Sequence, residues 1–344
     1  MQIETRSIDA AAFVELIRNV KTIALTTHVN PDGDALGSEI GLAEWLISIG
    51  KTVSVVNHSP TPYNYFFLDT GTPIIEQYDV AKHDALLKLV DLLLVLDVND
   101  PGRIRSIGPY ALADKSKVAV IDHHLEPQDF AREYFIDTEA CSTGELIYQL
   151  VTAAIPMLGG AITPKGANAL YVAIMTDTGS FKFPRTDSGV FRMCADLLDL
   201  GADPVASYNE VYNSAPAARL LLMRECLNSL EYQFENRMAF QSITQSQLRS
   251  IGANEEDVDG FVQMPFQVGG IVLSAFLLEL KEGWKLSVRS KGDVSAAALA
   301  QAFGGNGHFN AAGARIAEAL PFGDVKAQII AKAGSILQSA PVAA

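Results

Sequence analysis

The apolar residues of this chain fall into short continuous runs separated by segments with helical spacing. Thr22–Thr27 (TIALTT), Thr52–Val56, Leu92–Leu96 (LLLVL) and Lys117–Ile121 (KVAVI) read as buried strands. These runs would be apolar on both faces, which predicts a parallel sheet covered by helices on both sides. In Ala35–Ile49, residues Leu36, Ile40, Ala43, Leu46 and Ile47 recur near helical spacing, and Gly50 supplies a stop. Helices are also predicted around Thr143–Ala154 and Lys165–Thr176. After about Gly201 the pattern changes. Pro204–Leu230 reads as helical; strands are expected at Met238–Ser242, Gly270–Leu280 and Trp284–Arg289. A Gly-rich loop, FGGNGHFNAAG, spans Phe303–Gly313, and a closing helix runs from Asp324 to Gln338. The expected architecture is α/β: a parallel-sheet domain over 1–203, a helical connector over 204–236 and a smaller α+β domain over 237–344.

Composition narrows the class. With 344 residues, 49% of them hydrophobic, the chain can bury two sizeable cores. Its formal net charge of −14 disfavours a coat on long nucleic acid, which calls for a basic surface, but leaves small anions open as ligands. The longest apolar run is far shorter than the roughly 20 residues of a membrane span, and MQIETRSIDA does not read as a signal peptide. No membrane partner is therefore expected, and the cytoplasm is the expected location. Cys141, Cys194 and Cys226 are odd in number and widely spaced, so they are expected as buried apolar groups rather than a disulfide framework.

The titratable residues gather at strand ends. His28 follows the first strand, with Asp32 and Asp34 next in HVNPDGDALGS; Asp97 follows the third strand; Asp122, His123 and His124 follow the fourth. Ligand sites of open α/β sheets lie beyond the carboxyl ends of the strands. Each segment also has an ordinary reading. Asn30–Gly33 would form a turn, with Asp34 capping the helix that starts at Ala35. Asp177 would end an apolar helix before Gly179. Taken together these readings weaken. Two carboxylates two residues apart repel unless a positive charge joins them. Asp97 abuts an apolar strand and needs a partner, and Asp177 faces the unfavourable end of a helix dipole. The set His28, Asp32, Asp34, Asp97, His123 and Asp177 is mostly carboxylate and has no thiolate. It suits two divalent cations, Mn²⁺ with Mg²⁺ as the alternative, better than structural zinc. Two such ions ~3.5–4 Å apart can activate a hydroxide for in-line phosphoryl displacement.

These segments, in this order, resemble the DHH phosphoesterase family, whose name is spelled by Asp122, His123 and His124. GGNGHFNAAG is similar to the Gly-rich signature of the associated DHHA1 domain. The resemblance covers most of the chain and points to the bifunctional oligoribonuclease and PAP phosphatase group, often called nanoRNases. It implies a DHH catalytic domain followed by a DHHA1 substrate domain. By the same resemblance His28 and Asp32 would hold one cation, Asp34, His123 and Asp177 the other, and Asp97 would bridge them. His124 would contact the scissile phosphate, and Asp122 would orient an imidazole. Arg289, His308, Gly304, Gly305 and Gly307 would hold the nucleotide, the glycines by letting backbone amides approach closely and Arg289 as a fork for phosphate. Asn306 stands where the family usually has glycine; a left-handed backbone there would be tolerated by Asn. The implied substrates are very short oligoribonucleotides and 3′-phosphoadenosine 5′-phosphate. A cyclic- or linear-dinucleotide phosphodiesterase and a non-catalytic nucleotide sensor are the rival readings, and a homodimer would be an ordinary assembly. His58 and His83 lie outside every motif and are expected at the surface.

Overall fold

The structure, a computed structural model, describes residues 9–71, 75–316 and 320–339. The chain divides into two compact units, Met1–Ser214 and Ala215–Ala344. The first contains α1 (Ala10–Arg18), β1 (Thr22–Thr26), α2 (Gly33–Ser48), β2 (Thr52–Asn57), β3 (Ile75–Gln77), α3 (Val80–Leu89), β4 (Leu92–Leu96), α4 (Gly108–Ala113), β5 (Val118–Asp122), β6 (Glu133–Ile136), α5 (Thr143–Leu158), α6 (Pro164–Asp177), α7 (Ser188–Asp199) and α8 (Pro204–Asn213). Its strands form one sheet in the order β3-β2-β1-β4-β5-β6, with every pairing parallel. Every residue of the central strands β4 and β5 is buried, as expected for a sheet covered on both faces. One apolar cluster joins the sheet to α1, α2, α5 and α6; another covers the opposite face with α3 and α4. The edge strands β3 and β6 are short and partly exposed, and their pattern did not announce them.

A stripe of glycines sets how closely α2 lies on α6. A Cβ at Gly33 would come within 2.5 Å of the Thr176 side chain, one at Gly37 within 2.3 Å of the Ala169 carbonyl, and one at Gly41 within 2.6 Å of Leu170. None of these spaces admits a methyl group. The close approach brings the N-terminus of α2, which carries Asp34, beside the C-terminus of α6, which carries Asp177.

The second unit contains α9 (Ala217–Asn228), β7 (Glu231–Gln233), β8 (Met238–Ile243), α10 (Gln245–Ile251), β9 (Leu273–Glu279), β10 (Trp284–Ser290), α11 (Ala296–Gln301), β11 (Asn306–His308), β12 (Ala311–Ile316) and α12 (Phe322–Ser339). Its strands form a mixed sheet in the order β11-β12-β10-β9-β8-β7, parallel only between β8 and β9. The Gly-rich segment is not a free loop but the β11–β12 hairpin, in which Gly307 pairs with Ala312. Gly307 has φ +150°, and a Cβ there would lie 2.5 Å from Ala312 Cα. Asn306 is not among the residues with positive φ; its side chain instead accepts the Gly307 N–H at 2.8 Å. His83, expected at the surface, is buried: Asp79 N donates to its Nδ1 at 2.9 Å, and its Nε2 meets Glu76 Oε2 at 2.7 Å. All three cysteines are buried and unpaired. Among the described residues no helix is long and apolar enough to cross a membrane.

Candidate metal centre

Four chain segments deliver imidazoles and carboxylates to one end of the parallel sheet. His28 leaves β1 two residues after its end, and its Nδ1 meets the Val29 carbonyl at 3.0 Å. With that nitrogen donating, the Nε2 lone pair is free to face the carboxylates. It lies 3.4 Å from Asp97 Oδ2 and 4.0 Å from Asp32 Oδ1. His123 repeats the arrangement: Nδ1 meets the Ala140 carbonyl at 3.3 Å. Its Nε2 lies 3.4 Å from Asp177 Oδ2, 3.7 Å from Asp97 Oδ1 and 3.8 Å from Asp34 Oδ2. These separations exceed ordinary hydrogen bonds, and anchoring of the far ring nitrogen is the usual posture of a metal-ligating histidine.

The two aspartates of the first motif divide the helix cap and the buried position differently from the ordinary turn-and-cap reading. Helix α2 begins at Gly33, and its N-cap is Asp32, not Asp34: Asp32 Oδ1 accepts from Asp34 N and Ala35 N, each at 3.1 Å. Asp34 sits in the first turn, buried, because a distant helix end receives it. Its Oδ2 accepts from Thr143 N at 2.7 Å and its Oδ1 from Gly144 N at 2.9 Å. The N-terminus of α5 thus holds the Asp34 carboxyl group on two free backbone N–H groups. Thr143 also donates its hydroxyl to Asp97 Oδ1 at 2.9 Å. Sequence reasoning passed over Thr143, Gly144 and Ala140. The available signal was Ser142 three residues before Glu145 at a helix start: Ser142 Oγ does accept the Glu145 N–H at 3.1 Å.

Asp97 follows β4 with φ +58°, a conformation few residues other than Gly, Asn and Asp adopt readily. Its N–H donates to Ile121 O at 3.0 Å, which fixes this turn to β5. Burial pushes its carboxyl up, but the His28 imidazole 3.4 Å away and the charges of His124 and His123 hold it down at about 2. Asp34 is driven well above the usual carboxylate range by burial and then by the charges of Asp97, Asp177 and Asp32. Asp177, the last residue of α6, is raised to about 6, again chiefly by burial; the His123 charge pulls it down, and the Asp97 and Asp32 charges push it up.

The His-His pair is split in function. His124 is half-exposed, and its Nδ1 contacts Asp122 Oδ1 at 2.7 Å and lies 3.7 Å from Asp97 Oδ1. Burial lowers its affinity for a proton, but the Asp122 hydrogen bond and the Asp97 and Asp122 charges outweigh this and raise it to about 9. Asp122 is fully buried at the end of β5; Oδ1 also accepts the His123 N–H at 2.9 Å.

Three sets of side chains bring ligand atoms within 4.8 Å of one another: His28, Asp32 and Asp97; Asp34, His123 and Asp177; and Asp97, His123 and His124. The donor set fits hard divalent cations. Buried carboxylates that raise one another's affinity for protons, with two imidazole nitrogens converging among them, form a donor set that divalent cations would fit.

In the second unit, Arg289 is half-buried on β10, with Nη1 donating to the Val288 carbonyl at 3.0 Å. Burial lowers its pKa, opposed by Asp259. Gly304 has φ +72° and open space where a side chain would go, whereas a Cβ at Gly305 would strike the Gly313 carbonyl at 2.2 Å. The side chain of His308 lies outside the described residues.

Comparison with known proteins agrees with this geometry. The model of the DHH family N-terminal domain matches residues 22–174, and that of the DHHA1 domain matches residues 240–339. The chain belongs to the DHH/DHHA1 phosphoesterases, which are hydrolases. Within that class it is 33% identical over 296 residues to the bifunctional oligoribonuclease and PAP phosphatase NrnA of Thermus thermophilus, covering 86% of this chain and 84% of that one. It is 28% identical over 310 residues to the NrnA of Bacillus subtilis, covering 88% and 92%. Among solved structures, an exopolyphosphatase-related protein from Bacteroides fragilis superposes with a TM-score of 0.88 at 30% identity, covering 96% and 97%. RecJ from Thermus thermophilus, solved in complex with Mn²⁺, shares the fold at a TM-score of 0.59 and 16% identity, covering 96% of this chain and 56% of that one.

Proposed function

We propose that this phosphoesterase hydrolyses very short oligoribonucleotides and 3′-phosphoadenosine 5′-phosphate, using two divalent cations, Mn²⁺ by preference. The observation that carries the reading is the convergence of His28 Nε2 and His123 Nε2 on one shared carboxylate, Asp97, each ring tied back to a backbone carbonyl. His28 and Asp32 would hold one cation, Asp34, His123 and Asp177 the other, and Asp97, near both imidazoles, would be shared. When bound, such cations supply the Lewis-acid charge that activates water and neutralises phosphoryl oxygens.

The chain's own groups do the rest. Asp122 holds the His124 ring through Nδ1 and keeps it protonated, so His124 meets a phosphate as a cation with Nε2–H as its remaining donor. The backbone N–H groups of Thr143 and Gly144 fix the rotamer of Asp34, and the Thr143 hydroxyl fixes Asp97. To the second unit we assign the nucleotide contacts, through Arg289, His308, Gly304, Gly305 and Gly307. The names of the bacterial NrnA relatives support the substrate choice, and the net charge of −14 fits small substrates better than long nucleic acid.

The test is release of mononucleotide from 5′-labelled RNAs of graded length in Mn²⁺, with 3′-phosphoadenosine 5′-phosphate assayed in parallel. Turnover concentrated on the shortest RNAs is expected. Preference for long RNA, or no turnover of either substrate by metal-loaded protein, would overturn the reading.

A further inference from the structure

A pocket of about 300 Å³ opens beside the metal centre, walled by Cys141, Asp177, Thr178, Phe183, Pro184, Arg185 and Thr186. It shares Asp177 with the ligand set, and everything else in its wall lies outside the six candidate ligands. The turn that forms it is held in an unusual shape. Gly179, Ser180 and Phe181 are three consecutive residues with φ between 58° and 65°. Such backbone is retained where a site requires it and the surroundings enforce it. Here the Thr178 carbonyl accepts from both Lys182 N and Phe183 N at 3.1 Å, and the Thr178 hydroxyl accepts from Phe181 N at 3.0 Å.

The wall chemistry is that of a nucleotide seat. The Phe183 ring packs over Gly179, where a Cβ would fall 2.5 Å from its Cζ, yet the residue remains 50% exposed. One aromatic surface is thus anchored and half is left to solvent. Arg185 has one long hydrogen bond, from Nη1 to the Ala140 carbonyl at 3.5 Å, and forms no ion pair among the described residues. That carbonyl is also the anchor of His123 Nδ1. The Thr186 hydroxyl is buried and without a partner. An exposed aromatic ring and a guanidinium with a single long hydrogen bond, both next to the candidate metal centre, match the base and phosphate of one nucleotide.

We propose that this pocket is a binding subsite for the nucleotide adjoining the scissile phosphate, with Phe183 stacking on its base and Arg185 pairing with its non-scissile phosphate or ribose. This deepens the oligoribonuclease reading and rests on it. The subsite is sequence-tolerant, because every base offers a flat face to an aromatic ring. It also gives a dinucleotide an advantage over a phosphodiester that carries no base.

The experiment uses the metal-loaded full chain with variants F183A, F183Y and R185Q. Turnover is followed on the dinucleotide pApA and on methyl p-nitrophenyl phosphate, and affinity is measured calorimetrically with phosphorothioate-linked pApA, a poorly cleaved analogue. F183A and R185Q should each raise KM and Kd for the dinucleotides about tenfold, a loss at least several-fold larger than that on methyl p-nitrophenyl phosphate. F183Y, which keeps the ring, should retain dinucleotide affinity. Equal losses on both substrates, or unchanged dinucleotide affinity in F183A, would overturn the subsite while leaving the function standing. A wild-type enzyme that binds the analogue through Phe183 but does not cleave pApA would overturn the function and leave the subsite.

Discussion

Glu39 offers a test of how the base of the site is built. It lies inside α2, fully buried beneath the sheet end. Its Oε2 accepts from Asn57 Nδ2 at 2.8 Å, while Oε1 is buried with no partner. Asn57 in turn accepts the Thr27 N–H at 3.1 Å, one residue before His28. Burial raises the Glu39 carboxyl from 4.5 to about 8, against the pull of Asn57 and His28. The acid is therefore neutral in the folded chain at pH 7 and ionised in the unfolded chain. The folded state then binds more protons, so stability falls as pH rises. The loss begins near pH 4.5, runs at about 1.4 kcal/mol per pH unit, and saturates above about pH 8, for at most about 5 kcal/mol. Glu39→Gln keeps the shape and the Asn57 contact but cannot ionise, so this dependence should vanish. The assay is urea unfolding of the first unit, read by Trp45 fluorescence in a W284F background, at fixed Mn²⁺. Between about pH 5.5 and 8 the wild type should lose about 3 kcal/mol more than Glu39→Gln. The crowded carboxylates titrate in both proteins and cancel in the difference. Parallel stability curves would refute a neutral, desolvated Glu39.

Three further outcomes follow from the same geometry. Asp97→Asn should cut hydrolysis roughly 100-fold or more and weaken metal binding; Asn tolerates φ +58°, so folding should survive, and near-normal activity would sink the shared-cation assignment. If protonated His124 contacts the phosphate, kcat/KM should fall on the alkaline side, and Asp122→Asn, which removes the partner that raises His124, should move that limb to lower pH; an alkaline limb unmoved by the substitution would remove Asp122 from this role. Gly305→Ala should destabilise the second unit by about 1–3 kcal/mol, because the new Cβ would meet the Gly313 carbonyl at 2.2 Å; an unchanged Trp284 unfolding midpoint would show that the hairpin yields freely.

Much of the fold was legible because its central strands are simple. A strand buried on both faces must be apolar at nearly every position, so Leu92–Leu96 and the apolar run Val118–Ile121 announced themselves. The edge strands Ile75–Gln77 and Glu133–Ile136 are short, and each has only one sheet neighbour. Exposed and half-exposed positions there carry Glu, Gln and Tyr, and the period dissolves. The hairpin at 306–316 was hidden for a different reason: its pairing depends on glycines, which read locally as turn residues, although here they let two strands approach.

The candidate site was legible in its members and illegible in its supports. His28, Asp34, Asp97 and His123 are acids and imidazoles set against apolar runs, and that contrast is visible along the chain. Much of what holds them comes from far away in sequence. The N–H groups that receive Asp34 lie 109 and 110 residues later, at the start of α5. This is also why the cap was misassigned. Locally, Asp34 next to Ala35 looks like the residue that would satisfy a helix end. In the folded chain Asp32 takes that duty, and Asp34 is released to accept from another helix. A carboxylate that caps its own helix spends its lone pairs on adjacent amides. One that crosses to a second helix locks α2 and α5 together and leaves its Oδ2 3.8 Å from His123 Nε2. The glycines at 33, 37 and 41 serve the same end, since a side chain at any of them would push α6, and Asp177 with it, away from the other acids. The site's precision thus resides in residues without chemistry of their own. Substitutions at Thr143, Gly144 or the glycine stripe should impair metal binding as surely as loss of a ligand.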